Sequence, residues 1–354
     1  MNMNKRLLFI SDCYFSESVF SSQVHSLCNL HADNMDVTLI ALCNFSDFMI
    51  SPPPDTKYRL IKRIKLPKMY IPWRNYLFSK LSFLGRYYKK SDVVHARGHV
   101  GSGIALNLSN NANRYKIISD IRGVLDYEIY EANHKRKSTY VNKCRILEKR
   151  IFASIDNFFF VSKNMENFYK VRYGLRDKSL SVFPTIVNEN FFFKDLAKRE
   201  VMRRKLCIED KFVFLYVGGA QKWQNLKKII GEFSKASSQN KSIYLIILTT
   251  DYLSVLSLFK SGVASSNILI LTVDYKNVAD YINAADAGLL IRDKNIVNYV
   301  ASPTKANEYA SCGLKMANST ECFFKIDALS SQEYISLANI LNGHRKIYNE
   351  VNSL

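Results

Sequence analysis

Ser302, Pro303 and Thr304 stand directly before Lys305 and Glu308 in the stretch ASPTKANEYASCG, residues 301–313. Ser302 suits an N-cap and Pro303 the first helical position, so a helix is predicted to begin near residue 303 with unpaired backbone N–H groups at its start. Such a terminus attracts anions. Lys305 adds a full positive charge beside those donors, and Glu308, one turn on, faces the same side as Thr304 and Lys305. A carboxylate so placed can accept two hydroxyl hydrogen bonds from a ribose whose phosphates sit at the helix start. The same residues also describe a capped surface helix with an intrahelical Lys–Glu pair.

Other residues of chemical interest follow apolar runs. Gly218 and Gly219 succeed FVFLYV and permit close approach of the backbone to a diphosphate. Lys222 comes next, and alone it reads equally as a surface lysine. His95 and Arg97 alternate at one predicted strand end, as do Asp120 and Arg122 in DIRG, so each pair points one way. An Asp and an Arg two apart can instead tie down a loop. Ser162 and Lys163 open a helix after NFFFV, with Ser162 as a candidate N-cap, and Ser21, Ser22 and Gln23 begin the helix after the first strand.

The elements that must position these groups alternate throughout. Short β-branched runs predict strands at 6–11, 36–42, 92–96, 115–119 and 157–161, and again at 212–217, 243–248, 267–271 and 286–291, each followed by an amphipathic stretch. A long charged helix is predicted over 126–155, with Tyr130, Tyr140, Ile146 and Ile151 among its apolar positions. Pro184 and the polar Asn188, Glu189 and Asn190 mark an interdomain linker. The expected organisation is an α/β chain with a Rossmann-like domain over 1–184, a linker over 185–193, a second Rossmann-like domain over 194–331, and a C-terminal helix over 332–354 packing back on the first domain. Two doubly wound sheets of this kind are expected to face a central cleft at their carboxyl ends, where such folds bind ligands.

Composition narrows the function classes. With 354 residues, 47% hydrophobic and 23% charged, the chain has ample material for two cores, and disorder is excluded. The seven cysteines are scattered without a CxxC, which argues against a disulfide framework or a zinc site and fits a reducing cytoplasm. The opening MNMNKRLLFISD reads as a first strand rather than a signal peptide. No window reaches the ~18 apolar residues of a membrane span. The net charge of +19 attracts phosphates. Its densest part runs from Lys57 to Lys90, with eleven Lys or Arg, no Asp or Glu, and Tyr70, Trp73, Tyr76, Phe78, Phe83, Tyr87 and Tyr88 interleaved. That composition suits a segment lying on an anionic membrane surface, or a solvated basic face over a buried aromatic stripe. Nucleic acid is not an expected partner, since no recognised RNA or DNA module accompanies the patch.

The run SPTKANEYASCG resembles the SPTK..EY signature of a subset of family 4 glycosyltransferases, the retaining, nucleotide-sugar-dependent enzymes of the GT-B fold. YINAADAGLLIR, LYVGGAQKWQNLKKII, DVVHARG, ISDIRG and LEKRIFASIDNFFFVSKNM are similar to further family segments in the same order, together covering most of residues 5–316. The resemblance implies that Glu308, matching the second glutamate of an E-x7-E motif, contacts the donor ribose. The first glutamate falls at Val300, so that carboxylate is missing. Lys222 matches the lysine that neutralises the leaving phosphates; the arginine usually preceding it is absent, with Gly219 in its place, and Lys305 is expected to supply the lost charge.

The donor site is thus expected to comprise Gly218, Gly219, Lys222, Ser302, Thr304, Lys305 and Glu308. Asp120 and Arg122 would position the sugar where relatives often carry a histidine, and Ser22, Gln23, His95 and Arg97 would face the acceptor. Front-face attack with retention of configuration, without a metal or other cofactor, is implied, and no D-x-D motif contradicts it. The expected partners are a nucleotide-diphosphate sugar, a lipid-linked saccharide acceptor of surface polysaccharide such as O-antigen or capsule, and the inner face of the membrane through residues 57–90. A non-catalytic scaffold of the same fold and a nucleotide-sugar epimerase are the alternatives.

Overall fold

The computed structural model describes residues 5–13, 18–109, 113–131, 137–221, 224–259, 267–325, 329–330 and 337–351. The chain divides into two compact units, one comprising Met1–Ile186, Tyr299–Ser302 and Leu337–Leu354, the other Val187–Asn298 and Pro303–Ser336.

In the first unit, described strands β1 (Arg6–Ser11), β2 (Asp36–Cys43), β3 (Arg59–Ile64), β4 (Val93–Arg97), β5 (Ile117–Ile121), β6 (Asn157–Phe160) and β7 (Ser179–Val182) form a parallel sheet in the order β3-β2-β1-β4-β5-β6-β7. Both faces are covered, so Leu7, Leu8, Phe9 and Ile10 are all buried, as a doubly wound sheet requires. The strand order reverses between β1 and β4, and ligands of such sheets bind at the carboxyl ends beside that switch. The helix Leu337–Val351 belongs to this unit, where His344 stacks on His31 and Tyr348 packs tilted against His31 and edge-on against His95.

In the second unit, β8 (Phe212–Val217), β9 (Ile243–Leu248), β10 (Ile268–Leu271), β11 (Ala287–Leu289) and β12 (Lys315–Ala317) give a parallel sheet in the order β10-β9-β8-β11-β12, with its switch between β8 and β11. One apolar cluster around Val213, Leu215, Ile282 and Tyr309 lies on one face, and another around Phe214, Ile229, Phe233 and Phe323 on the other.

The structure departs from the sequence expectations at several elements. Three strands went unpredicted: β3 carries Lys and Arg because it is an edge strand, while β7 (SLSV) and β12 (KMA) are too short and polar to show alternation. The helix expected over 126–155 is described as two pieces, Leu125–Glu131 and Lys137–Ser154, with 132–136 outside the described residues. Ile151 is buried there, but Tyr130 and Ile146 face outward, on the wet side.

Candidate functional site

In the second unit, the helix Thr304–Ser311 is set on the sheet by Tyr309. That side chain is fully buried, and its hydroxyl accepts from Val217 N at 3.2 Å and donates to Leu215 O at 3.4 Å, at the end of β8. Gly288 in β11 makes room for the ring, because a β-carbon there would lie 2.4 Å from Tyr309 Cδ2. One residue earlier on the helix, Glu308 is wholly enclosed. Its Oε2 accepts from Lys305 Nζ at 2.7 Å, and its Oε1 has no hydrogen-bond partner among the described residues. A buried carboxylate oxygen without a donor is costly unless a ligand supplies one.

The start of this helix differs from expectation. Pro303, not Ser302, occupies the cap position, with extended backbone and no side-chain cap hydrogen bond. The Ser302 hydroxyl is engaged by Thr185 instead, accepting from Thr185 N at 3.1 Å, while Thr185 Oγ1 donates to Ser302 O at 3.0 Å. Without a side-chain cap, the amino terminus beside Thr304 keeps donors for an anion. Val300 is fully buried, and Ser162 both caps the helix Lys163–Tyr173 and donates to Val300 O at 2.6 Å, so the position that would carry the motif's first glutamate is an apolar packing site.

The glycine loop after β8 is tied to its own unit through two backbone N–H groups. Gly218 N continues the sheet ladder to Leu248 O at 3.0 Å, and Ala220 N donates to Asp251 Oδ2 at 2.9 Å. Two of the loop's N–H groups are therefore already bonded within the protein. Gly219 is needed for the close approach of Asp251, whose Oδ2 would sit 2.7 Å from a β-carbon there. Lys222 lies outside the described residues. Sequence reading passed over Asp251, whose only signal is its place after a strand. It likewise passed over Arg292, beyond β11, whose Nε is buried with no partner among the described residues and whose pKa burial lowers.

In the first unit, Asp120 gathers the groups that end β4 and β5. Register sets Arg97 beside Asp120. His95 Nε2 lies 3.1 Å from Asp120 Oδ2, Arg97 Nη1 donates to the same oxygen at 3.5 Å, and Arg122 Nη1 donates to Oδ1 at 3.2 Å. Burial opposes ionisation of Asp120, but Arg122, His95 and Arg97 outweigh it and hold its pKa well below the usual carboxylate range. Burial lowers the pKa of His95 despite Asp120, and lowers that of Arg122 to about 10. Arg122 also reaches Phe183 O at 3.4 Å and Gln23 Oε1 at 3.4 Å.

The residues expected to face an acceptor are internal. Ser22, Gln23, His95 and Arg97 are all buried. Gln23 brackets Ile186, donating to its carbonyl at 2.7 Å and accepting from its N–H at 3.1 Å, while the second ring nitrogen of His95 meets Tyr348 Oη at 2.5 Å. Ser22 and Gln23 turn inward because residues Ser21–His25 form a π-helical turn that tucks four consecutive side chains under the surface. His95 is closed over by Tyr348, 253 residues away, for which no sequence signal exists. Arg122 remains partly open, its side chain 17% exposed.

No protein-family model matches this chain, and no curated protein matches it in sequence. Solved structures match over nearly all of it. Sucrose-phosphate synthase from Thermosynechococcus elongatus aligns with a TM-score of 0.69 at 15% identity, covering 98% of this chain and 91% of its own. The chain has the GT-B fold. HepE from Anabaena, solved in complex with UDP-glucose, aligns with a TM-score of 0.68 at 11% identity over 98% of this chain and 91% of its own. WaaG, described as a glycosyltransferase involved in lipopolysaccharide biosynthesis, aligns with a TM-score of 0.64 at 14% identity over 98% and 92%. Within this GT-B chain, Glu308 and Lys305 sit beside a helix start free of a side-chain cap, and Asp120 binds two guanidinium groups at the carboxyl edge of the seven-stranded sheet.

Proposed function

We propose that this chain is a retaining glycosyltransferase of the family 4 type, moving a sugar from a nucleotide-diphosphate sugar to a lipid-linked acceptor of surface polysaccharide. The observation that carries this reading is the Glu308 carboxylate, fully buried, held by Lys305 through one oxygen and lacking a donor on the other among the described residues. Ribose hydroxyls are the donors that suit it. The uncapped helix start and Lys305 then supply fixed positive charge for the diphosphate as the sugar–phosphate bond breaks and the sugar gains oxocarbenium character. The acceptor hydroxyl attacks from the face the leaving group departs, and the departing phosphate oxygen takes its proton. Lys222 would add a second charge. HepE's complex with UDP-glucose and WaaG's part in lipopolysaccharide synthesis support the donor class and the pathway.

Contact with an anionic membrane surface is supported by the exposed apolar side chains Trp73 (58%), Tyr76 (50%), Leu81 (62%) and Phe83 (79%), all within the basic segment. No helix among the described residues is long and apolar enough to cross a membrane. Several of the segment's cations already serve the chain itself: Lys65 pairs with Asp12 at 3.2 Å, Lys62 reaches Ile50 O, and Lys68 donates to Tyr140 at 2.5 Å. The aromatic side chains therefore carry more of the membrane reading than these lysines do.

A non-catalytic scaffold is the second reading, favoured by buried Val300 in place of a carboxylate and by Asp251 on the glycine-loop amide. Incubation with a panel of nucleotide sugars, with lipid-linked acceptor present and absent, separates the two. Release of nucleotide from one donor supports the enzyme; tight binding without release from any donor supports the scaffold.

A further inference from the structure

The amino ends of β1, β2 and β3 lie at the edge of the first sheet opposite to that of Asp120 and Arg122. A cavity of ≈ 360 Å³ opens there, within the size range of small-ligand sites. Strand alternation puts Arg6 with Leu8, and Asp36 with Thr38, on common faces, and register sets Arg6 beside Asp36, Leu8 beside Thr38, and Thr38 beside Arg59. One face of the sheet therefore ends in the Arg59 guanidinium. The helix Gly85–Lys90 brings Arg86 and Lys90, four residues apart on one side, to the same cavity.

These charges are poorly compensated. Arg6 is held by Asp92, at 3.3 Å through Nε and 3.1 Å through Nη2. The side chains of Arg59 and Lys90 have no hydrogen bond or ion pair among the described residues, and Arg86 donates to the phenol of Tyr87 at 3.0 Å rather than to a carboxylate. Asp36 is the one carboxylate lining the cavity. Like charges at i and i+4 on a short helix, facing a third across a concave surface, repel one another unless an anion sits between them. Two arginine forks match the oxygens of a phosphate, and the Leu8 and Tyr87 side chains offer an apolar floor for whatever the phosphate is attached to.

We infer that this cavity binds a phosphate-bearing ligand through Arg59, Arg86 and Lys90. The site shares no residue with the donor reading and does not rest on it. Its phosphate comes either from a lipid headgroup or from a free phosphate compound. The test uses the full chain, with inorganic phosphate in calorimetry as one probe and phosphatidylglycerol-containing vesicles against pure phosphatidylcholine vesicles as the other. The variant Arg59→Gln/Arg86→Gln is compared with the control Lys227→Gln/Lys228→Gln, which removes equal charge from the second unit, and Lys90→Glu serves as an independent single change at an exposed position.

The expected result is saturable binding of a probe that both cavity variants weaken about tenfold or more, with the control unchanged. Weakening confined to vesicles assigns a lipid headgroup; weakening seen with inorganic phosphate assigns a free phosphate compound. The inference is overturned if the wild type binds neither probe, if folded cavity variants bind as the wild type does, or if the control loses as much as they do.

Discussion

The ring of Tyr309 lies so close to Gly288 that a β-carbon on the glycine would come within 2.4 Å of it. A fully buried ring hydrogen-bonded to the end of β8 has no room to yield, and the helix that carries it also carries Glu308. Gly288→Ala is therefore expected to destabilise the protein by about 1–3 kcal/mol in urea unfolding and to weaken nucleotide binding as well. Unchanged stability would show that the helix is not seated by this contact.

Glu308→Gln keeps the shape of the side chain but removes its charge, so that Lys305, 2.7 Å away, faces a neutral amide instead of a carboxylate. Charge-assisted hydrogen bonds contribute roughly 1.5–3 kcal/mol, so nucleotide-sugar affinity should fall about tenfold or more. Calorimetry on the folded variant checks this, and wild-type affinity would remove the ribose assignment.

Asp251 holds a negative charge against the glycine loop, 2.9 Å from Ala220 N. A diphosphate approaching that loop meets its repulsion, so Asp251→Asn should bind a nucleoside diphosphate more tightly than the wild type, by a few-fold at low salt and less at high salt. Weaker binding in the variant would mean that Asp251 organises the loop for the ligand rather than opposing it.

Acid should loosen the packing of the C-terminal helix. Burial, with the charges of His95 and Arg345, lowers the pKa of His31 to about 3. Burial, with His95 and His31, lowers that of His344 well below its ordinary value despite Asp120. Both ring nitrogens of His31 lack partners among the described residues. These groups stay neutral in the folded state and charge in the unfolded state below about pH 6.5, so the stability they contribute is present above that pH and declines as pH falls toward 3, by about 1.4 kcal/mol per unit for each histidine. Urea unfolding between pH 7 and pH 5 should show this slope, and His31→Phe should reduce it. A slope indifferent to that substitution would rule the histidines out as its source.

Trp73 and Phe83 are exposed on the basic segment, and Trp73→Ser/Phe83→Ser should lower cosedimentation with anionic vesicles while leaving stability within about 0.5 kcal/mol, as surface changes do. Binding that persists fully in the double variant would return the segment to a solvated basic face.

Much of the architecture could be read from the order of residues because it rests on local patterns. Continuous apolar runs such as RLLFIS and FVFLYV declare strands buried on both faces whatever surrounds them, and helix period alone sets Glu308 on the side of Thr304 and Lys305. The charged edge strand RLIKRI escaped because only Ile61 of its six residues is buried, so its composition resembles a loop.

Which polar groups are free was decided only by tertiary structure. Ser302 has the chemistry of an N-cap, yet Thr185, more than a hundred residues earlier, takes its hydroxyl; His95 lies two residues before the end of β4, on the side of Arg97, yet Tyr348 closes over it from the helix Leu337–Val351. Sequence determines which hydrogen bonds a residue can make, whereas folding determines which partner reaches it first, because most buried donors and acceptors are satisfied from whatever the chain brings within about 3 Å. At Glu308 the described residues bring one partner for two oxygens, and that shortfall, invisible in the order of residues, is what the proposed donor site rests on.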